Sequence, residues 1–266
     1  MKSKKNSQVY LIWGTHGNEG IITNKITGFL VDQLSQINSI DTFVIGPVSP
    51  WSYRNQYRFD RRMSDPNRII TDQESDNNEY KQLLQEWRAT QPKNLEQIQN
   101  YLVRIDQIGL DIGQLFKHTQ TTDQDFFGYV DILSQNKRIK FLSELIFRRL
   151  NCSNPSKITL VDVHAGIGLD AETILFYESN SVIPKSNFLI DRIASNICQS
   201  YGIQARTLIL ETGVINNQFG LINVLSEIAS RTYGFDQPIP RLSQVISEEW
   251  IYQAKSKLDI KILGDI

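Results

Sequence analysis

The stretch QVYLIWGTHGNEG, residues 8 to 20, places an apolar run directly before a glycine-flanked turn. Its first part, QVYLIWGT, is short and apolar and is broken by Gly14, which is typical of a buried strand. The turn contains His16 and Glu19, which are three residues apart in the sequence. Because ligands of open α/β sheets bind beyond the carboxyl ends of the strands, this turn is the first candidate for a functional site.

Outward from this turn, predicted helices and strands alternate along the chain. Apolar residues recur at helical spacing from Gly20 to about Gln36, and DTFVIGPV at 41–48 predicts a second strand. Further strands are predicted at 157–164, 172–177 and 205–211, and further helices at 188–201, 221–232 and 242–255. The pattern predicts an α/β fold with a mixed, mostly parallel sheet flanked by helices. Residues 77–117, rich in Gln, Asn and charge, predict a helical insertion within it.

Composition limits the classes of function. The chain has 266 residues, is 40% hydrophobic and carries a formal net charge of −1, so we expect one globular domain over residues 1–266. The balanced charge predicts neither nucleic acid nor a membrane surface as a partner, and no apolar run reaches the roughly 18 residues of a membrane-spanning helix. Only two cysteines are present, which favours a reducing, cytoplasmic compartment. The sequence leaves the oligomeric state open.

A second histidine lies in a similar place. His164 ends the apolar run ITLVDVHAG, and Asp162 precedes it by two residues, so in a strand both side chains point to the same face. A histidine in such a run can also be an ordinary core residue. Two imidazoles and one carboxylate with an open fourth position are nevertheless the ligands of a catalytic zinc ion, and a carboxylate commonly orients a ligating imidazole. His16, Glu19 and His164 therefore predict one Zn²⁺ per chain.

Two further segments carry candidate polar groups. Glu211 ends the apolar run RTLILETG, where a carboxylate can serve as the general base of a hydrolytic zinc site or can simply be an exposed acid. Residues 52–68 contain five arginines. A guanidinium is the best side-chain receptor for a substrate carboxylate, although several of these arginines must belong to a solvated loop.

In chain order, these motifs resemble those of the zinc carboxypeptidase superfamily. The nearest branches are the aspartoacylase and succinylglutamate desuccinylase group and related carboxypeptidase-like proteins of unknown function. That superfamily has HxxE, an Asn-Arg pair, a distant strand-end His and a strand-end Glu. The corresponding residues here are His16 and Glu19, Asn67 and Arg68, His164, and Glu211, in the strings GTHGNEG, DPNR, DVHAG and LETG. GQ at 113–114 and FFG at 126–128 extend the resemblance, which covers scattered motifs over residues 8–220.

The resemblance implies a role for each of these residues. His16, Glu19 and His164 would bind zinc, Glu211 would be the general base and later the proton donor, and Asn67 and Arg68 would bind a substrate carboxylate. An upstream arginine would polarise the scissile carbonyl: Arg58 fits by its RF context and Arg61 by its spacing. The implied activity is hydrolysis of an amide or peptide bond near a free carboxylate, in a small molecule or a peptide, with an ester possible on the same chemistry.

Two other classes of function remain open at the sequence level. Gly14, Gly17 and Gly20 form G-x-x-G-x-x-G, which differs from the G-x-G-x-x-G of dinucleotide-binding loops, and no acid ends the second strand to bind a ribose. A nucleotide-binding domain is thus one alternative. A non-catalytic zinc-binding or ligand-binding protein on the same fold is the other, although the intact His16, Glu19, His164 and Glu211 argue for an enzyme.

Overall fold

A computed structural model gives the fold, and it describes residues 7–68, 78–110, 129–153, 155–165, 174–179, 188–203, 205–212, 217–242 and 248–257. The strands are β1 (Ser7–Trp13), β2 (Ile40–Ile45), β3 (Lys157–Ala165), β4 (Ile174–Ser179) and β5 (Ala205–Thr212). The helices are α1 (Gly20–Leu34), α2 (Pro50–Asn55), α3 (Asn78–Thr90), α4 (Leu95–Gln107), α5 (Ile132–Ser153), α6 (Leu189–Tyr201), α7 (Asn217–Thr232) and α8 (Glu248–Lys257).

The described strands form one sheet in the order β2-β1-β3-β5-β4. The first four strands in that order run parallel, and β4 pairs antiparallel with β5. Parallel strands end at the same edge of a sheet, so the carboxyl ends of β1, β3 and β5 lie side by side. The predicted α/β fold with a mixed, mostly parallel sheet flanked by helices is confirmed.

Both faces of the sheet are covered. Alternate residues of β1 point to opposite sides, so Val9 and Leu11 pack with Ile26 and Leu30 of α1, whereas Tyr10 packs on the other face. On that second face the strands meet α5 and α6, whose buried residues recur at helical spacing. This two-sided burial explains why the strands are nearly continuous apolar runs in the sequence.

A second core lies beside the sheet. It contains apolar residues of α3 and α4, the helices found within the predicted insertion, and one face of α7. Trp87 and Tyr101 are its largest fully buried members, and Phe59 from the loop after α2 packs with them. The helices α3 and α4 are therefore packed against α7; residues 77 and 111–117 of the predicted segment lie outside the described residues.

Some elements differ from the sequence prediction. The 22-residue helix α5 was not predicted, because its charged residues obscure the apolar positions Ile139, Leu142, Ile146 and Leu150 that face the sheet. The short helix α2 was not predicted either. The C-terminal helix, predicted from Leu242, is described from Glu248 onward. No helix in the described part of the chain has both the length and the apolar character needed to cross a membrane.

Candidate metal centre

The turn between β1 and α1 places the first two candidate ligands. A Cβ atom on Gly17 would lie 2.0 Å from the carbonyl carbon of Ser52, so only glycine allows α2 to approach the turn this closely. Gly14 has a φ of +67°, and a Cβ there would lie 2.8 Å from Cβ of Pro47. The glycines thus let His16 and Glu19 turn back over the end of the sheet.

His16, Glu19 and His164 converge at the carboxyl ends of β1 and β3. Nδ1 of His16 lies 3.0 Å from Oε1 of Glu19, and Nδ1 of His164 lies 3.3 Å from Oε2 of the same carboxylate. One potential ligand atom from each residue lies within 4.8 Å of the others. All three residues are at most 3% exposed. The sequence prediction that these residues form one group that could hold a metal ion is confirmed.

Two further carboxylates fix the orientation of the imidazoles. Nε2 of His16 lies 3.0 Å from Oδ1 of Asp65, and Nε2 of His164 lies 2.9 Å from Oδ2 of Asp162. The Asp162 carboxylate in turn accepts a hydrogen bond of 3.1 Å from Thr15. A proton held on each Nε2 leaves the Nδ1 lone pair of a neutral imidazole directed toward Glu19. This is the usual arrangement around a histidine that ligates a metal.

Asp65 was not among the residues predicted from the sequence. It lies two positions before Asn67 in the DPNR string, and that proximity was the only signal available. The N–H of Asp65 donates to the Tyr129 carbonyl over 2.8 Å, and its carboxylate accepts the N–H of Asn67 over 2.9 Å. Asp65 therefore joins the Asn67–Arg68 segment to His16 of the first motif.

The buried charges shift the ionisation of these groups. Burial opposes ionisation of Glu19, yet His16 and His164 outweigh it and hold the pKa of this carboxyl well below its usual range. Burial likewise disfavours a charged His164, but Asp162 and Glu19 raise the pKa of this imidazole well above its usual range. Binding of a cation through Nδ1 would displace the proton that these carboxylates favour there.

The charges and donors fit a divalent cation. Around the centre lie four carboxylates (Glu19, Asp65, Asp162 and Glu211) and two guanidiniums (Arg58 and Arg68), so the group has a net charge of −2 when both imidazoles are neutral. A divalent ion would neutralise this excess. Two imidazole nitrogens and one carboxylate oxygen are also a donor set that zinc prefers. Moreover, Oδ1 of Asn67 is buried without a hydrogen-bond partner among the described residues, as expected beside a ligand site.

Arg58 and Arg61, the alternative carbonyl-polarising residues, occupy different environments. Arg58 is buried, with Nη2 3.2 Å from Oδ2 of Asp65 and Nη1 3.5 Å from Oε1 of Glu19. Arg61 is exposed. The structure thus brings Arg58 to the edge of the centre and leaves Arg61 on the surface.

The predicted substrate-binding pair also lies at the centre. Nδ2 of Asn67 is 3.3 Å from Nε2 of His164, and both Asn67 and Arg68 are buried. The Arg68 guanidinium lies over the ring of Phe188, 5.2 Å from its centroid. Burial lowers the pKa of Arg68, whereas Asp65, Glu211 and Glu19 act in the opposite direction, so the cation lies among the carboxylates of the site.

Glu211 is next to the centre through the strand register. It is paired with His164 across the parallel β3–β5 ladder, and both residues lie near the ends of their strands. Side chains at paired positions point to the same face of a sheet. Glu211 is partly exposed, unlike the three candidate ligands, and it acts electrostatically on Arg68.

The 14–20 turn is not arranged as a phosphate loop. The N–H groups of Asn18 and Gly20 donate to the carbonyls of Tyr57 and Gly17, over 2.9 and 3.1 Å. A carboxylate, Glu19, already stands at the start of α1, where a phosphate would have to bind. These contacts argue against the nucleotide-binding alternative.

Comparisons of the sequence with models of known protein families and with curated proteins found no match. The resemblance to zinc carboxypeptidases therefore rests on the ordered motifs alone. Its GQ and FFG strings, at 113–114 and 126–128, lie outside the described residues.

Proposed function

We propose that the protein is a zinc-dependent hydrolase that cleaves an amide or peptide bond near a free carboxylate, of the carboxypeptidase or N-acyl amino acid deacylase type. The observation that carries the proposal is the convergence of His16, Glu19 and His164, with their imidazoles oriented by Asp65 and Asp162. One zinc ion per chain would be held by these three residues. When bound, zinc supplies Lewis acidity that polarises a carbonyl group and makes water a stronger acid.

The side chains around the ligands fit the remaining tasks of such a reaction. Glu211, beside His164 and partly exposed, takes the proton from the attacking water and later donates it to the leaving amine. Arg58, 3.5 Å from the ligand Glu19, stabilises the negative charge that develops on the carbonyl oxygen. In this assignment Arg61, which is exposed, has no catalytic role.

Asn67 and Arg68 define the class of substrate. A buried guanidinium favours a bound carboxylate. Arg68 belongs to the loop whose Asp65 contacts His16 and whose Asn67 contacts His164. We propose a small molecule or a short peptide with a free carboxylate near the scissile bond as substrate. The burial of the site favours a small substrate over an extended protein surface. The two free cysteines are consistent with a reducing, cytoplasmic setting, which is part of the proposal.

A non-catalytic metal-binding protein is the second candidate. One feature favours it: Glu19 already accepts the N–H of Ala165 over 3.0 Å, and Arg58 already pairs with two carboxylates. Glu19 and Arg58 thus already have partners within the protein. Metal binding does not separate the two candidates, because both require the metal. Hydrolysis of a substrate does, because only the enzyme would show it.

The test combines metal analysis with turnover of N-acyl amino acids and short peptides. The parent protein should hold one zinc and hydrolyse at least one of these substrates. Glu211→Gln should keep the zinc but lower kcat roughly 10²- to 10⁴-fold, the usual scale for a lost general acid–base. Glu144→Gln, an exposed acid-to-amide change on α5, should retain full activity. Zinc binding without turnover of any substrate would favour the non-catalytic candidate.

A further inference from the structure

A buried carboxylate on α7 holds the segment that carries Arg58. Glu227 is 1% exposed. Its Oε2 accepts the backbone N–H of Arg58 over 2.5 Å, and its Oε1 accepts the N–H of Phe59 over 3.1 Å. A carboxylate that accepts two consecutive amides fixes the direction of the peptide planes between them.

Arg231, one turn further along α7, holds the next residues of the same segment. Its Nη1 lies 3.1 Å from Oε1 of Glu227, and its Nη2 donates to the carbonyls of Asp60 and Arg61 over 2.8 and 2.9 Å. Its guanidinium also lies over the ring of Trp51, 5.1 Å from the centroid. Glu227 and Arg231 thus bind the backbone of residues 58–61 from one side.

Two further contacts bind the backbone of residues 57–61, which lie outside the helices and strands. The Ser52 hydroxyl donates to the carbonyl of Phe59 over 2.8 Å, and the N–H of Asn18 donates to the carbonyl of Tyr57 over 2.9 Å. Buried backbone polar groups need such partners, and here side chains supply several of them. The conformation of the segment therefore depends on a few identifiable side chains.

We propose that Glu227 is a positioning residue that aims Arg58 at the metal centre, and that the α3–α4 insertion supports it through α7. The inference rests on the role proposed for Arg58. Next to Glu227, α7 also contributes Leu225 and Ile228 to the core that contains Tyr101 of α4. The insertion therefore fixes the helix, Glu227 fixes the backbone at Arg58, and the Arg58 guanidinium reaches Glu19 and Asp65.

Glu227→Gln tests the proposal by amide hydrogen exchange measured by NMR at pH 8 on the zinc-loaded protein. Gln keeps one acceptor oxygen but puts an amide NH₂ donor against a backbone N–H donor. The amides of Arg58 and Phe59 should exchange at least roughly tenfold faster, because one of the two bonds is lost. Amides of β3 should not change. Glu144→Gln is the matched acid-to-amide control, and Leu150→Ala is a control for general loss of core packing.

The outcomes separate this inference from the proposed function. Unchanged exchange at Arg58 and Phe59 would overturn the inference, whether or not the protein is an enzyme. In a parent protein that hydrolyses a substrate, Glu227→Gln should also lower kcat at least about tenfold with KM within roughly twofold, a loss that Leu150→Ala should not share. An unchanged kcat despite faster exchange would overturn the positioning of Arg58. If the parent protein hydrolysed no substrate, the proposed function would be wrong. The exchange rates would still decide whether Glu227 fixes the backbone at Arg58 and Phe59.

Discussion

At the scale of single residues, Asp65 links the Asn67–Arg68 segment to the candidate metal centre. It holds Nε2 of His16 over 3.0 Å and pairs with Arg58 over 3.2 Å. Burial disfavours its ionisation, but Arg58, His16 and Arg68 outweigh this effect and hold the pKa of Asp65 well below its usual range. The carboxylate is therefore ionised at neutral pH and serves as a fixed acceptor for the imidazole N–H.

Asp65→Asn should weaken zinc binding roughly 10- to 100-fold, the usual effect of losing a group that orients a metal ligand. The asparagine amide can donate to Nε2 through its NH₂ as well as accept through its oxygen. It therefore no longer fixes the tautomer of His16. Competition with a chromogenic chelator measures the affinity. Asp32→Asn, at an exposed position on α1, is the control and should bind zinc like the parent. Equal affinities for Asp65→Asn and the parent would show that Asp65 has no part in holding the metal.

Arg68 gives a prediction about substrate chemistry. Amidating the substrate carboxylate should lower kcat/KM roughly 10- to 150-fold, because a charge-assisted hydrogen bond is worth about 1.5–3 kcal/mol. Arg68→Ala should lose a similar factor on the free acid and barely change the amide. Steady-state kinetics of the parent and Arg68→Ala proteins on the acid and the amide gives the four kcat/KM values of a double-mutant-type cycle. Equal turnover of acid and amide by the parent would leave Arg68 as a structural arginine.

At the scale of elements, the strand ends were the part of the site that sequence could predict. The ITLVDVH and RTLILET runs identify β3 and β5, and the parallel sheet then requires His164 and Glu211 to be neighbours. Asp65 could not be predicted in the same way, because its loop has no periodicity that fixes where its side chain points. Glu227 was hidden for a related reason: the pattern of α7 predicts a helix but does not say what its polar face contacts.

The unpredicted helix α5 shows the limit of periodicity. Its sequence carries lysines and arginines near the apolar positions, so the apolar stripe is weak until the sheet shows which side is buried. Arg138 illustrates the effect, since it pairs with Asp60 over 3.1 Å and donates to the carbonyl of Pro66 over 3.2 Å. A half-buried charged residue whose hydrogen bonds are made within the protein cannot be distinguished in the sequence from a surface residue.

Glu227 on α7 predicts a pH dependence of stability. Burial raises the pKa of Glu227 from 4.5 to about 7, although the amides of Arg58 and Phe59 and the Arg231 guanidinium lower it. Between pH 4.5 and about 7, Glu227 keeps its proton in the folded protein but has released it in the unfolded chain. The free energy of unfolding contributed by Glu227 therefore falls as pH rises through this window, by up to roughly 1.4 kcal/mol per pH unit.

Glu227→Gln removes this titration. The difference in unfolding free energy, parent minus variant, should thus decrease between pH 4.5 and about 7 and be flat above it. Urea unfolding of both proteins at several pH values measures the difference. A pH-independent difference would mean that Glu227 is charged throughout, as an ordinary ion-pair partner of Arg231. Buried ionisable groups that cost stability are often kept for their role in a site.

At the scale of the whole molecule, the site depends on the complete sheet. His16 and Glu19 follow β1, Asp65 to Arg68 belong to the loop after α2, and His164 and Glu211 end β3 and β5. These segments are far apart in sequence and meet only because parallel strands end at one edge. The sequence predicted the sheet and the three candidate ligands, whereas their precise orientation depends on contacts between loops.

The central claim, that His16, Glu19 and His164 bind one metal ion, is tested most directly by anomalous X-ray diffraction at the zinc edge. Crystals of protein purified without chelators and supplied with zinc should give one anomalous peak per chain. That peak should lie about 2.0–2.1 Å from Nδ1 of both His16 and His164 and about 2.0–2.2 Å from a Glu19 oxygen. A saturating zinc concentration that gives no peak between these three residues, or a peak elsewhere, would contradict the account.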